Sequence, residues 1–298
     1  MAEIDHSGRV TAPPVTAAWQ GVGLVVLATL CFSTAILFVR LIHGLDAMTI
    51  TFYRSLFAFL FFCGLLPRFR EPLAIARYRR YIPLLVGLGL AMALTASLYT
   101  YAVQHTTAAN AALLNNSAPL YVALLAPPLL KEARPRYLWP GIALAALGVI
   151  LITDPARLRL DPAAFGGIAA AALSGVTYAG PMLIGRALRG RVSSLTQIWW
   201  GAGLTALLLS PFGLRGDPAT ILNQLHLLIP LGVLSLGVPY LLMFLGLARV
   251  KAQVGSVAAL MEPVFGTLIG FLFFAEVLTP IGMLGALGVL SAIVLISR

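Results

Sequence analysis

Leu260-Met261-Glu262-Pro263 sits in the middle of an apolar run from about residue 253 to residue 274, and its reading decides the fold. A carboxylate at mid-membrane depth costs about 2.5–3.5 kcal/mol on insertion scales. A proline one residue later removes a backbone donor and bends or breaks the helix there. The run is long enough to cross a bilayer. It reads as the ninth of ten membrane helices, and Glu262 as the only carboxylate placed deep in the bilayer.

Composition supports that reading. Of 298 residues, 60% are hydrophobic and only 10% charged, against about 25% charge in a soluble domain. Mean hydropathy is +0.95. The apolar runs are continuous and about 20 residues long, whereas barrel strands are about 10 and alternate. The class is an all-α integral membrane protein. The net charge of +10 lies mostly in short connections between the runs, which is the positive-inside pattern and not a nucleic-acid surface. Cys31 and Cys63 lie inside runs and indicate neither a disulfide framework nor a metal site. Residues 1–16 are polar, contain Pro13-Pro14 and read as a cytoplasmic tail without a cleavable signal.

Ten spans can be drawn, at about 17–41, 47–66, 80–104, 107–129, 136–153, 162–187, 193–211, 222–249, 251–274 and 279–297. Pro67, Pro135, Asp154-Pro155, Asp161-Pro162, Asp217-Pro218 and Thr279-Pro280 punctuate them. With the N-terminus inside, 15 Lys and Arg fall in inside segments and 3 outside. That split predicts that both termini are cytoplasmic.

The chain also repeats itself. Shifted by 144, Pro119 falls on Pro263, Glu132 on Glu276, Gly141 on Gly285, and Leu151-Ile152 on Leu295-Ile296. Spans 4 and 5 then correspond to spans 9 and 10. The predicted units are 17–153 and 154–298, each of five spans. Five is odd, so the second unit enters the membrane inverted, with a substrate site near mid-membrane where the units meet.

Those residues carry a family resemblance. Tyr53-Arg54-Ser55-Leu56-Phe57-Ala58, Leu260-Met261-Glu262-Pro263-Val264-Phe265, Phe274-Ala275-Glu276-Val277-Leu278-Thr279 and Gly285 resemble the EamA-type branch of the drug/metabolite transporter superfamily. The first half carries degenerate counterparts in Ala118-Pro119-Leu120-Tyr121, Lys131-Glu132 and Gly141. The resemblance spans residues 20–297. It extends to YddG-like exporters of aromatic and other neutral amino acids, and implies that fold and that activity. Pro127-Pro128, near the end of span 4, departs from the pattern and disrupts the helix end there.

No G-x-x-x-x-G-K-[ST] loop is present, so an ion or solute gradient would drive transport. The histidines show no ligand spacing, and nothing points to catalysis, a cofactor or a metal. Glu262 is a candidate for binding a proton or a substrate ammonium, or is a hydrogen-bonded structural carboxyl. Arg54 is a candidate for a substrate carboxylate, or a cation satisfied by backbone carbonyls. Glu132 and Glu276, at span ends, read as caps of the next helix. Softer candidates are Ser33, Tyr99, Asn115, Asn116, Tyr178, Trp199 and Tyr240. Tyr99 and Tyr101 are two apart on a helix, so at most one of them lines a central cavity. Pro119, Pro181, Pro239 and Pro263 are candidate hinges. Gly282, Gly285 and Gly288 put a smooth stripe on span 10.

The expectation is a multi-pass inner-membrane secondary exporter of amino acids or similar small metabolites, working by alternating access around an aromatic, weakly polar cavity. The partners expected are a small solute and the bilayer, not nucleic acid; a monomer is compatible with the sequence. The alternatives are export of drugs, cationic compounds or nucleotide-linked metabolites on the same scaffold, and a structural membrane protein that transports nothing.

Overall fold

A computed structural model describes residues 15–65, 75–106, 108–153, 164–274 and 279–297. The helices among them are α1 (Val15–Leu41), α2 (Ala47–Leu65), a short α3 (Ile75–Tyr78), α4 (Ile82–His105), α5 (Ala108–Asn115), α6 (Ala118–Leu130) and α7 (Leu138–Thr153). There follow α8 (Phe165–Ala187), α9 (Ser194–Gly213), α10 (Pro218–Gly232), α11 (Val238–Leu247), α12 (Ala252–Ala258), α13 (Met261–Phe274) and α14 (Pro280–Ser297). Pro67, the Asp154-Pro155 and Asp161-Pro162 punctuation, Glu276 and the polar N-terminal residues lie outside the described residues.

Among the described residues, eight helical stretches are long and apolar enough to cross a membrane. Of the ten spans drawn from sequence, the two not among these eight correspond to α7, which is apolar but 16 residues long, and α9, which has 20 residues. The two serines, two threonines and glutamine in α9 lower its hydropathy.

Proline chemistry explains the discontinuities. α5 stops and α6 starts across Asn116-Ser117; α12 stops and α13 starts across Ala259-Leu260. Pro119 and Pro263 follow each break and remove the amides that an α-helix would pair with Asn115 O and Ala259 O. The backbone tightens instead to three-residue bonds: Ser117 N–H to Leu114 O and Leu120 N–H to Ser117 O in one, Leu260 N–H to Val257 O and Glu262 N–H to Ala259 O in the other. The two breaks fall within one residue of the 144-residue shift. Pro127-Pro128 does not end its helix: α6 runs through both to Leu130 and stops where Lys131 turns left-handed at φ 55°. The two prolines, within a turn of the helix end, leave Ala123 O and Leu124 O without their i+4 amides.

Packing between the halves is reciprocal. α7 lies along α14, and α2 along α9; α1 packs on α11 and α13, while α8 packs on α4, α5 and α6. A Cβ on Gly141 would meet Ile296 at 2.6 Å, and one on Gly285 would meet Leu151 and Ile152 at 2.9 Å. Gly141 and Gly285, and Ile152 and Ile296, are the pairs the shift brings into register, so each contact has its exchanged counterpart. Gly148 and Gly285 let the two backbones approach still closer, with Gly148 O 2.5 Å from a Cβ on Gly285. Gly288 shares this seam, at 3.5 Å from Gly148, whereas a Cβ on Gly282 would meet Thr279 Oγ1 of its own helix start. Gly285→Leu is therefore expected to lower stability by about 1–3 kcal/mol through overpacking. Gly23→Leu, in α1 with nothing within 4 Å of the added carbon, is expected to be neutral in the same thermal-unfolding measurement.

The connections segregate to two ends of the bundle. At one end, a Cβ on Gly44 would lie 3.2 Å from Thr220 and one on Gly216 3.0 Å from Thr49, and the start of α8 meets the end of α4 at Gly167 and His105. Asp217 caps α10 there, accepting from the Thr220 N–H at 2.9 Å and hydroxyl at 2.6 Å. These bonds hold its carboxyl below the ordinary range. The cap's contribution is therefore complete above the ordinary carboxylate pKa and is lost as pH falls through the lowered value. At the other end, Tyr78, Leu85, Leu188 and Val192 form a small core, and Lys251 donates to Ala133 O at 3.1 Å.

Candidate functional site

The discontinuous elements meet near the middle of the bundle. Gly232 lets α10 press onto α2, where a Cβ would lie 2.7 Å from Arg54 O. The next residues, Val233–Gly237, form a π-turn. In an α-helix the carbonyl of Ser235 would accept from the N–H of residue 239, but residue 239 is proline. That carbonyl accepts instead from Arg54 Nη2. Arg54 Nε has no hydrogen-bond partner among the described residues. Nη2 is thus anchored, while Nε–H on the same edge is left for a further acceptor.

Around Arg54 stand Tyr99 of α4, Tyr178 of α8, Tyr240 of α11 and Glu262 of α13, all close enough to interact with it electrostatically. Glu262 in turn interacts with each of the three tyrosines. Tyr178 and Tyr240 are 7% and 8% exposed; Arg54, Tyr99 and Glu262 keep intermediate exposure. A cation and a carboxylate thus stand with three tyrosines near the middle of the bundle.

α1 closes the group. Ser33 Oγ lies 2.9 Å from Glu262 O and 2.8 Å from Thr29 O, so its hydroxyl is shared between α1 and the carbonyl at the start of α13. Phe32 packs edge-on to Tyr240, with centroids 5.0 Å apart. On the other side of the pseudo-symmetry, Asn115 Oδ1 accepts from Ser174 Oγ at 3.0 Å, and Gly175 presses against Leu114 O at the α5–α6 break.

The structure therefore brings together Arg54, Tyr99, Tyr178, Tyr240, Glu262 and Ser33. Asn115 is buried on the α5–α8 seam, and Asn116 bonds back to Ala112 O at 2.8 Å within its own helix. Trp199 lies against Phe59, centroids 5.2 Å apart, in an apolar groove of about 480 Å³ between α2 and α9. Tyr101 points away from Tyr99 and stacks on His105 at 3.9 Å. Of the four prolines, Pro119 and Pro263 flank breaks and Pro239 follows the π-turn, whereas Pro181 lies inside the continuous α8.

Glu132 requires a correction. It does not cap the next helix, α7. Its Oε2 accepts from Ala252 N–H at 3.0 Å, capping α12 of the other half, and its Oε1 pairs with Arg186 Nε at 2.5 Å. Arg186 Nη1 also donates to Leu247 O at 2.8 Å. One carboxylate and one guanidinium thus tie the ends of α6, α8 and α11 to the start of α12. Spacing along the chain points Glu132 at its neighbour; only the packing of the halves puts α12 nearer. The π-turn carbonyl was also missed, although Pro239 signals it.

The EamA-like transporter family matches this chain twice, over residues 19–154 and 165–298. A transporter of Archaeoglobus fulgidus is 29% identical over 280 residues, covering 93% of this chain and 96% of its own length. The pseudopaline exporter CntI of Pseudomonas aeruginosa is 28% identical over 284 residues, 94% of this chain and 96% of its own. A solved crystal structure superposes with a TM-score of 0.77 at 17% identity, covering 94% of this chain and 96% of that one; at that identity the likeness concerns the fold.

Proposed function

The chain belongs to the EamA-like transporter family, and from that premise we propose that it is a secondary transporter exporting amino acids, aromatic or other neutral ones, or similar small metabolites. The observation that carries this reading is the joint placement of Arg54, Glu262 and three tyrosines. A zwitterion presents a carboxylate and an ammonium a short distance apart. The unpartnered Nε–H of Arg54 suits the first and Glu262 the second, with the tyrosine rings left for an apolar or aromatic side chain. A cationic drug meets Arg54 as a like charge in the same cluster, which disfavours that alternative. The exporter named among the relatives supports outward flux.

The architecture proposed is ten spans in two oppositely oriented units, 17–153 and 154–298, with both termini in the cytoplasm of an inner-membrane protein. The exchanged glycine contacts between α7 and α14, the paired helix breaks and the arginine-rich connections on one face support it. Pro119, Pro239 and Pro263 are the hinges proposed for alternating access. Disulfide crosslinking of span ends across such a hinge is expected to stop transport while leaving membrane insertion intact; continued transport removes the hinge.

Radiolabelled neutral amino-acid flux into proteoliposomes tests the reading. Absence of saturable flux for any neutral or aromatic amino acid overturns it. Glu262→Gln is expected to lower flux at least about tenfold, the loss of a charged contact of roughly 1.5–3 kcal/mol. Flux indifferent to this change removes Glu262 from substrate or proton binding and leaves transport standing.

A further inference from the structure

Burial changes abruptly at the α12–α13 break. Residues 255–261 are all buried, and residues 262–267 all keep partial exposure. Each stretch covers more than one helical turn, so the change is not a matter of which face looks inward. α12 is enclosed by α1, α6, α7, α8, α11 and α14. Polar bonds hold its start in place at the arginine-rich end of the bundle. Ala252 N–H donates to Glu132 Oε2 at 3.0 Å. Arg186 Nε holds the other carboxylate oxygen, and Arg186 Nη1 donates to Leu247 O at 2.8 Å. Lys251 adds its bond to Ala133 O. The far end of α12 is the break at Ala259-Leu260, which Pro263 follows. α12 is thus a seven-residue lever between a charged latch and a hinge.

Gln253 works against the latch. It is the second residue of α12 and fully buried, at 0% exposure. Neither Nε2 nor Oε1 of its side chain has a hydrogen-bond partner among the described residues. An unpaired buried amide raises the energy of the state that encloses it. Solvent is near along the chain: Lys251 keeps partial exposure and Arg249 is exposed. Swinging the start of α12 off Glu132 brings the amide to water and removes that penalty. The same movement breaks the bond from Ala252 to Glu132, so the two terms oppose each other.

We propose that α12 is a gate on the transport path at this end of the protein. Glu132 and Arg186 are its latch, and the unpaired Gln253 amide keeps the unlatched state within reach. The structure holds the latched state. A latch without opposition populates one state only and stops a cycle that needs two. The inference rests on the transporter reading and on Pro263 as a hinge, and not on which solute is carried.

Thiol labelling of the full-length chain tests it, with Cys31→Ala, Cys63→Ala and Ser256→Cys. Ser256 lies in α12 and is 1% exposed, so a thiol there reacts only when α12 moves. A membrane-impermeant maleimide is added to inside-out vesicles, which present the arginine-rich end in the proposed orientation. Glu132→Gln keeps an acceptor for Ala252 and loses the charge facing Arg186. It is expected to speed labelling about tenfold, the worth of one charge-assisted hydrogen bond. Gln253→Met is expected to slow labelling about fivefold and to lower flux with it, while raising the thermal-unfolding midpoint by roughly 3 °C. A badly packed variant gives faster labelling and a lower midpoint, the reverse of both. Labelling unchanged in both variants overturns the gate. A lower midpoint in Gln253→Met without slower labelling overturns the role of the amide, which is then satisfied in the latched state. Opposite shifts in labelling without amino-acid flux leave the gate standing and overturn the choice of solute, so the two failures are distinguishable.

Discussion

Arg54→Gln is expected to reduce amino-acid flux in proteoliposomes by at least about 100-fold, because it removes two charge-assisted hydrogen bonds, one to Ser235 O and one to the substrate carboxylate, each worth roughly 1.5–3 kcal/mol. Two losses combine. The anchor on Ser235 O disappears, and the proposed substrate carboxylate is left without its cation. Arg54→Lys keeps the charge but offers a point ammonium in place of a planar fork, so it cannot hold the π-turn carbonyl and a carboxylate with the same geometry. Partial recovery with Lys supports a charge role, and full recovery rejects the two-acceptor role assigned to the guanidinium. Pro239→Ala returns an N–H to the carbonyl that Arg54 uses. It is expected to lower flux roughly fivefold, the worth of about one hydrogen bond. Wild-type flux in Arg54→Gln would falsify the placement of the substrate at this cluster.

The second large effect is on stability. Glu132→Ala is expected to destabilise the protein by about 3–5 kcal/mol, because it strands a guanidinium in a largely buried place. The side chains of Arg186 and Glu132 are 10% and 13% exposed. The variant also uncaps α12 at Ala252. The midpoint of thermal unfolding should fall by on the order of 10 °C, followed by tryptophan fluorescence or by loss of the monodisperse peak. Replacing both charges, Glu132→Leu with Arg186→Leu, is expected to recover more than half of the loss, since a well-packed apolar pair removes the stranded charge. A single-variant midpoint within a degree of wild type would show that solvent or a neighbour replaces the pair.

Much of the fold was legible because bilayer-spanning helices must be long, apolar and self-paired. The breaks near Asn116 and Leu260 followed from prolines, which act on their own backbone four residues upstream. The 144-residue shift put Gly141 on Gly285 and Ile152 on Ile296, but that each glycine packs near the exchanged isoleucine position came only from the packing. Candidate residues were less legible. Tyr99 and Tyr101 were separable by helical spacing, but which of the two turned inward was not. Trp199 carries the same chemistry as the cluster tyrosines and lies instead in the α2–α9 groove. Glu132 was read as a local cap because sequence spacing reports only neighbours along the chain.

By itself, the sequence determined the class of structure, the long apolar helices and the positions where helices give way, since each is set by local backbone chemistry and by the solvent on either side. It also held the atoms of the site: a guanidinium at 54, a freed carbonyl at 235 and a carboxyl at 262. Only the tertiary structure decided that these three converge and that Glu132 belongs to α12. Convergence depends on how helices far apart in the chain approach each other, and close approach is fixed by small residues such as Gly232 and Gly175 against distant backbone. No local rule along the chain carries that information.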